Sequence, residues 1–352
     1  MLSIRTRLEE RRGRAREASL IARADALVAE RQAREAIELL DAAVHDHSAP
    51  EAEAHLLRIR HAAFASRDRA AGLSEWPPRV GEPLACAAGA LPEIVAERLD
   101  ADTLRRGILG HGALVVRGLL DDGWRRTLTD DIDRAFVAYD TFYDGADPGA
   151  TLPWYLPFEG PFGNVDTVRP FMRKGGGILT VESPRAARDL IDMFRAVGVV
   201  DAIAGFLGET PALSVKKWTL RKVPITSSTD WHQDGAFLGD SVRTVNVWIT
   251  LTDCGVDAPG LDVVPRRVDE ILPTGTEGAW FDWSIGEAVV ARAATEAPVQ
   301  RLVLRAGDAV VFDERCVHRT AVDAAMTRER YAIESWFFAP SKYPTAQIPV
   351  ML

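Results

Sequence analysis

The sequence predicts a β-barrel decorated on its outside by helices and preceded by a separate helical segment. Three observations carry this. Apolar residues recur at helical spacing through the first fifth of the chain, as in Ala33, Ile37, Leu40 and Val44. A Pro-, Gly- and Ser-containing stretch without periodicity, residues 70–83, separates that region from the rest. Short, β-branched and apolar runs then crowd the last 140 or so residues, while the apparent helices precede them.

Taken in order, residues 1–80 form the helical segment with its linker and 81–352 the body. Two helices are expected on either side of the break at His47–Pro50, and the stretch from Arg34 to Pro50 resembles one tetratricopeptide-type hairpin. A lone hairpin falls short of the three or so repeats such arrays need, so the reading is a helical brace on the body, with a peptide contact left open. In the body, a helix over Ala101–Leu109 leads through His111-Gly112 into a buried strand, Ala113–Gly118, and a further helix, Trp124–Tyr139. Between Asp140 and Gly177 the chain is rich in Gly, Pro and aromatics (Trp154, Tyr155, Phe158, Phe162, Phe171), which predicts a lid. One helix is expected over Arg185–Leu207. Strands are expected at Leu213–Lys222, Thr244–Leu251, Leu261–Val264, Val299–Leu304, Ala309–Phe312 and Arg330–Phe338.

The charge pattern narrows the function. Arginines and acidic residues balance across residues 1–75, so the formal net charge of −9 belongs to the body. An acidic body gives no electrostatic footprint for nucleic acid or an anionic membrane. No apolar run approaches the roughly 20 residues that span a bilayer. The N-terminus lacks the apolar segment of a signal peptide. Cys86, Cys254 and Cys316 make neither a CxxC pair nor a disulfide framework, so a reducing, cytoplasmic setting is expected.

Of seven histidines only His232 and His318 lie beyond residue 111. In extended backbone, residues i and i+2 point to the same face, so His232 and Asp234 would converge on one point. His318 follows the Ala309–Phe312 strand, and a barrel could bring it opposite that pair. Two histidines and a carboxylate occupy one face of an octahedral ion and leave the other positions open, as in non-haem Fe(II) oxygenases. Zn(II) hydrolases use the same donors, so donor type alone does not choose the metal. A non-catalytic protein that binds peptide through its helical hairpin is the third reading.

Four elements in order resemble the phytanoyl-CoA dioxygenase-like family of Fe(II)/2-oxoglutarate oxygenases. They are Gly112–Gly118; Asp230–Asp234 (DWHQD); Val245–Asp253 leading to Gly260–Arg266; and Gly307–Phe312 with His318 and Arg330. The resemblance spans roughly residues 100–340. It departs at Pro265-Arg266-Arg267-Val268, where the family has Pro-Gly-Ser-His.

The resemblance implies a mainly β, double-stranded β-helix (jelly-roll, cupin-like) barrel with flanking helices. It implies Fe(II) on His232, Asp234 and His318, with 2-oxoglutarate and O2 as co-substrates. It also implies hydroxylation of a small organic molecule with release of succinate and CO2. The family's arginine for the distal carboxylate of 2-oxoglutarate falls on Arg330, with Arg328 as runner-up, and its small hydroxyl residue falls on Thr320. A guanidinium suits that carboxylate because its planar fork binds in a bidentate manner and stays charged when buried. Asp234 argues against a halogenase, in which a small residue replaces this ligand. Trp231 and Trp248 are expected in core packing, with pocket lining as the alternative, Gln233 opposite the ligands, and Arg173–Gly177 in a turn without P-loop spacing.

Overall fold

The computed structural model describes residues 4–46, 49–67, 73, 75–158, 170–239, 241–344 and 346–352. Three helices come first: α1 (Ile4–Ala29), α2 (Ala33–Asp46) and α3 (Pro50–Ser66). Their apolar positions meet one another, with Ala24, Ala36, Leu40, Val44, Ala52, Leu56 and Ile59 forming one small core. Pro50 opens α3 at a position where the missing amide costs nothing.

The body begins with β1 (Glu93–Val95), α4 (Ala101–His111) and β2 (Ala113–Arg117). A reciprocal capping box starts α4: Thr103 N donates to the Asp100 carboxylate (2.7 Å) and Asp100 N donates to Thr103 Oγ1 (2.9 Å). Gly112 ends the helix at φ 88°, and a Cβ there would sit 2.5 Å from the Arg266 carbonyl oxygen, so only glycine fits. Then come α5 (Asp122–Tyr143), α6 (Pro148–Thr151), α7 (Pro170–Lys174), β3 (Gly177–Leu179), α8 (Pro184–Ala196) and α9 (Val199–Leu207). The single helix expected over Arg185–Leu207 is thus two, broken at Gly198 (φ 74°). The rest comprises β4 (Ala212–Val223), α10 (Gly235–Leu238), β5 (Thr244–Thr250), β6 (Gly260–Val263), α11 (Glu287–Ala293), β7 (Gln300–Leu302), β8 (Ala309–Phe312), β9 (His318–Ala321), β10 (Arg330–Phe338) and β11 (Pro349–Met351).

The architecture mixes helix and sheet. A large sheet runs β1-β2-β8-β5-β10-β4-β11, with β3 also on β4, and a small sheet runs β7-β6-β9. Among the described residues these ladders do not join into a closed barrel. They share a core instead: Trp248, Val310, Phe312 and Trp336 of the large sheet pack with Leu261, Val263 and Leu302 of the small one. The period-2 alternation of strands turns Val245, Val247, Ile249, Ile333 and Phe337 the other way, against α5, α8 and α9. No helix of the described residues is long and apolar enough to cross a membrane.

The N-terminal helices are bonded into the body. Arg60 donates to the Met351 carbonyl oxygen (3.3 Å) and pairs with Asp41 (2.9 Å), and His61 Nδ1 meets the Pro349 carbonyl oxygen (2.6 Å). The Glu53 carboxylate of α3 is fully buried and accepts from Arg185 (2.6 Å) and Arg188 (3.3 Å) of α8. Removing one partner of a buried ion cluster leaves uncompensated charge, which costs about 3–5 kcal/mol. Glu53→Ala is therefore expected to lower the stability read by denaturant titration by about 3 kcal/mol, at the low end because both arginines keep some solvent. A change under about 0.5 kcal/mol would mean that the helices dock without this contact.

Candidate metal centre

The site lies between the two sheets. After β4 the chain crosses to the small sheet, where Thr229 N donates to the Thr320 carbonyl oxygen (3.3 Å) and Thr320 N donates to Thr229 Oγ1 (2.7 Å). His232 N then donates to the His318 carbonyl oxygen (3.0 Å) and His318 N returns the bond (3.1 Å), an antiparallel bridge beside β9. Asp234 has already left extended backbone (φ −63°, ψ −23°) and leads into α10. The expected strand alternation is therefore replaced by one bridge residue followed by a helical turn. Gly235 permits that turn: a Cβ there would meet Ile271 Cδ1 at 2.4 Å.

One ligand atom from each of His232, Asp234 and His318 lies within 4.8 Å of the others. Each imidazole Nδ1 faces a backbone carbonyl oxygen, that of Asp230 for His232 (2.8 Å) and that of Cys316 for His318 (3.1 Å). A carbonyl only accepts, so Nδ1 carries the proton and Nε2 presents its lone pair to the shared point. Burial pushes the His318 imidazole down to about 4, which keeps it neutral. Asp234 is 2% exposed. Burial works against its charge, but the adjacent Lys217 ammonium opposes burial, and the carboxyl lies below its ordinary value. Its Oδ1 accepts from Lys217 Nζ (2.9 Å), while its Oδ2 is buried with no hydrogen-bond partner and lies 3.9 Å from His318 Nε2. A buried, unpartnered carboxylate oxygen beside two lone pairs fits a divalent cation, which would satisfy all three at once.

Around this point is a cavity of about 540 Å³. Thr320 and Arg330 line it. Arg330 is 1% exposed, donates through Nη1 to the Pro259 and Gly260 carbonyl oxygens (3.0 Å each) and lies 4.9 Å from the Trp248 ring centre. Its Nε has no partner, and burial pushes its pKa down to about 10. Arg328 is on the surface, paired with Asp257 (2.8 Å).

The expectations for neighbouring residues divide. Trp231 packs away from the cavity with Val268, Ile285 and Val289, whereas Trp248 lines it. Gln233 points away and pins loops, donating to the Glu270 (3.0 Å) and Arg315 (2.7 Å) carbonyl oxygens and accepting from Leu272 N (2.7 Å). In the loop that departs from the family pattern, Arg267 pairs with Asp313 (2.5 Å) and Asp269 (2.9 Å). Arg173 pairs with Asp140 (2.6 Å), and Gly176 makes a turn at φ 74°.

The aromatic lid is corrected for the residues described. Tyr155 and Phe158 are buried in the helix-side core, and Trp154 lies near Arg134 and Arg185. Phe162 and the Phe171 side chain lie outside the described residues. The aromatics at the cavity come from elsewhere, Phe237 of α10 and Trp283 of the loop before α11. Sequence reasoning also missed Lys216, Lys217 and Arg221 on β4, Asn246 on β5 and Glu334 on β10. The inward alternation of β5 and β10 could have found the last two.

Residues 109–322, which contain all three candidate ligands, match the phytanoyl-CoA dioxygenase (PhyH) family. The chain belongs to this family. As a phytanoyl-CoA dioxygenase family member it is a non-haem iron enzyme dependent on 2-oxoglutarate, a family with which small-molecule substrates are consistent. Membership decides between the iron oxygenase and the zinc hydrolase that the donor set left open. Solved structures similar to it include AviO1 from Streptomyces viridochromogenes Tue57, at 20% identity over 70% of this chain and 98% of that one, with a TM-score of 0.46. EctD from S. alaskensis with 2-oxoglutarate and 5-hydroxyectoine shows 17% identity over 76% and 82%, with a TM-score of 0.49. EvdO2 from Micromonospora carbonacea var. aurantiaca complexed with 2-oxoglutarate shows 17% identity over 71% and 91%, with a TM-score of 0.43. No curated protein sequence matches the chain.

Proposed function

We propose that His232, Asp234 and His318 hold Fe(II), that Arg330 and Thr320 hold 2-oxoglutarate, and that the enzyme hydroxylates a small organic substrate. The observation that carries this reading is the buried, unpartnered Asp234 Oδ2 facing two outward Nε2 lone pairs. Bound Fe(II) with 2-oxoglutarate and O2 would supply the oxidant, with succinate and CO2 as co-products. The chain's own residues position and enclose. The backbone bridge spaces the imidazoles, Lys217 fixes the carboxylate, Arg330 offers charge to the distal carboxylate, and Trp248 with Leu261 limits water.

The two facing sheets support a double-stranded β-helix as the parent architecture of residues 81–352. Residues 1–80 are assigned the role of a brace, because the apolar faces of α1, α2 and α3 are used against one another and α3 is bonded to α8 and β11. That leaves the peptide-docking reading without a free apolar face among the described residues. The three cysteines are unpaired, which supports a cytoplasmic setting.

Anaerobic addition of Fe(II) and then 2-oxoglutarate to the metal-free protein is expected to give the visible charge-transfer band of a chelated keto acid, saturating at one equivalent of each. Absence of the band with the protein folded would overturn the assignment.

A further inference from the structure

The wall of the cavity contributed by β4 carries more positive charge than the iron and co-substrate account for. Opposite Trp336 the pairing of β4 with β10 is irregular, the register shifting between Ser335 and Phe337, and both Lys216 and Lys217 reach the cavity there. Arg221 follows on the same wall. Lys217 is engaged by Asp234 and lies 4.0 Å from the Phe237 ring centre. Among the described residues the side chains of Lys216 and Arg221 make no hydrogen bond or ion pair, and Arg221 Nε is buried and unpartnered. Burial pushes the Arg221 guanidinium down from its ordinary pKa, and the nearby Glu334 carboxylate offsets this only in part. The acid facing this wall, Glu334, is bonded elsewhere: its oxygens accept from Trp336 Nε1 (3.2 Å) and Thr219 Oγ1 (3.5 Å).

A formal count makes the surplus explicit. Fe(II) on two neutral histidines and one carboxylate, a 2-oxoglutarate dianion and Arg330 together close to neutrality. Lys216, Lys217 and Arg221 against Glu334 then leave the cavity net positive. Next to these cations stands an aromatic corner. Phe237 and Trp283 meet nearly at right angles (85°) with ring centres 6.3 Å apart, and are 42% and 38% exposed. Trp283 is backed by Phe281 in a parallel stack (3°, 5.2 Å). Apolar rings left open beside unpaired cations match a ligand with an acid group at one end and a flat apolar body at the other.

We infer that the substrate is a small organic acid with a planar apolar body, its carboxylate or phosphate held by Lys216 and Arg221 and its ring system against Phe237 and Trp283. This rests on the reading of the site as an iron and 2-oxoglutarate centre. That reading assigns Arg330 to the co-substrate and so leaves Arg221 free.

The test uses 1-naphthoate, 1-naphthyl phosphate and neutral 1-naphthamide as probes. Each is titrated calorimetrically into the full chain, both metal-free and anaerobically loaded with Fe(II) and 2-oxoglutarate. At least one acid should bind about tenfold or more tightly than the amide. Whichever acid binds tighter names the group the site takes. The preference should vanish in Lys216→Ala/Arg221→Ala, with the Fe(II)/2-oxoglutarate band titrating as in the parent. Trp283→Ala should weaken acids and amide alike. Equal binding of acids and amide, or a preference that survives the double substitution, would overturn the inference. So would loss of the 2-oxoglutarate titration in Arg221→Ala, which would make that arginine a co-substrate residue while the iron reading stands. Failure of the band in the parent chain would remove the iron reading alone, because the probe preference is also measured on metal-free protein.

Discussion

Asp234→Ala is expected to cost the protein its iron and at least about 100-fold in 2-oxoglutarate-dependent succinate formation, since even residues behind the metal ligands change affinity or activity by 10–100-fold when altered. The substitution deletes the one anionic donor, whose Oδ2 has no protein partner, and strands Lys217 Nζ, which now lies 2.9 Å from Oδ1. His318→Ala should do the same by removing a neutral Nε2 donor. Neither change touches the hydrogen bonds between the His232 and His318 backbones, so circular dichroism should be preserved. Iron per chain, measured by atomic emission after anaerobic loading and desalting, checks the prediction. Parent-like loading in either variant would dismiss these residues as ligands.

Arg330→Ala should raise the 2-oxoglutarate concentration needed for half-saturation by about two to nearly four orders of magnitude and leave iron content nearly unchanged. Arg330 is 1% exposed and fixed from one side by two carbonyl oxygens, so an anion on its other side would form a buried charge-assisted pair. Breaking such a pair costs about 3–5 kcal/mol, or between about 10² and 10⁴ in affinity. Arg328→Ala removes only an exposed pair with Asp257, worth about 0–1 kcal/mol, and should shift the titration less than fivefold or so. Arg330→Lys keeps charge without the planar fork and should fall between. A larger defect in Arg328→Ala would reverse the assignment.

The parts of this molecule legible in its sequence are those set by local pattern. The run Arg330–Phe338 forms β10 with those bounds, and β-branched density marked β4, β5, β6 and β8 to within about a residue. The meeting of His232, Asp234 and His318 was also legible, although the local reasoning was not right: a backbone bridge and a helical turn bring them together where strand alternation was expected. The remainder depends on tertiary context. Tyr155 and Phe158 read as lid residues, but an aromatic cluster with Tyr139 and Phe142 draws Tyr155 into the core. Nothing in the sequence marks Lys216, Lys217 and Arg221 as cavity residues, because the irregular pairing opposite Trp336 that brings both lysines to the cavity leaves no mark in composition. The break at Gly198 (φ 74°) is masked in the sequence by apolar spacing that continues across it.

The reciprocal bonds between His232 and His318 also bear on how the ion would come and go. In small metal-dependent domains, capture of the ion and folding are one event, and chelation unfolds the chain. Here the backbone ladder sets the spacing of both imidazoles, two carbonyl oxygens set their tautomer, and a lysine restrains the carboxylate, all through bonds in which no metal takes part. Removal of the ion would therefore leave the donors in place, so that exchange is a reversible event confined to the cavity, and an enzyme inactivated by oxidation or loss of its iron would be restored by fresh Fe(II) without passing through an unfolded state.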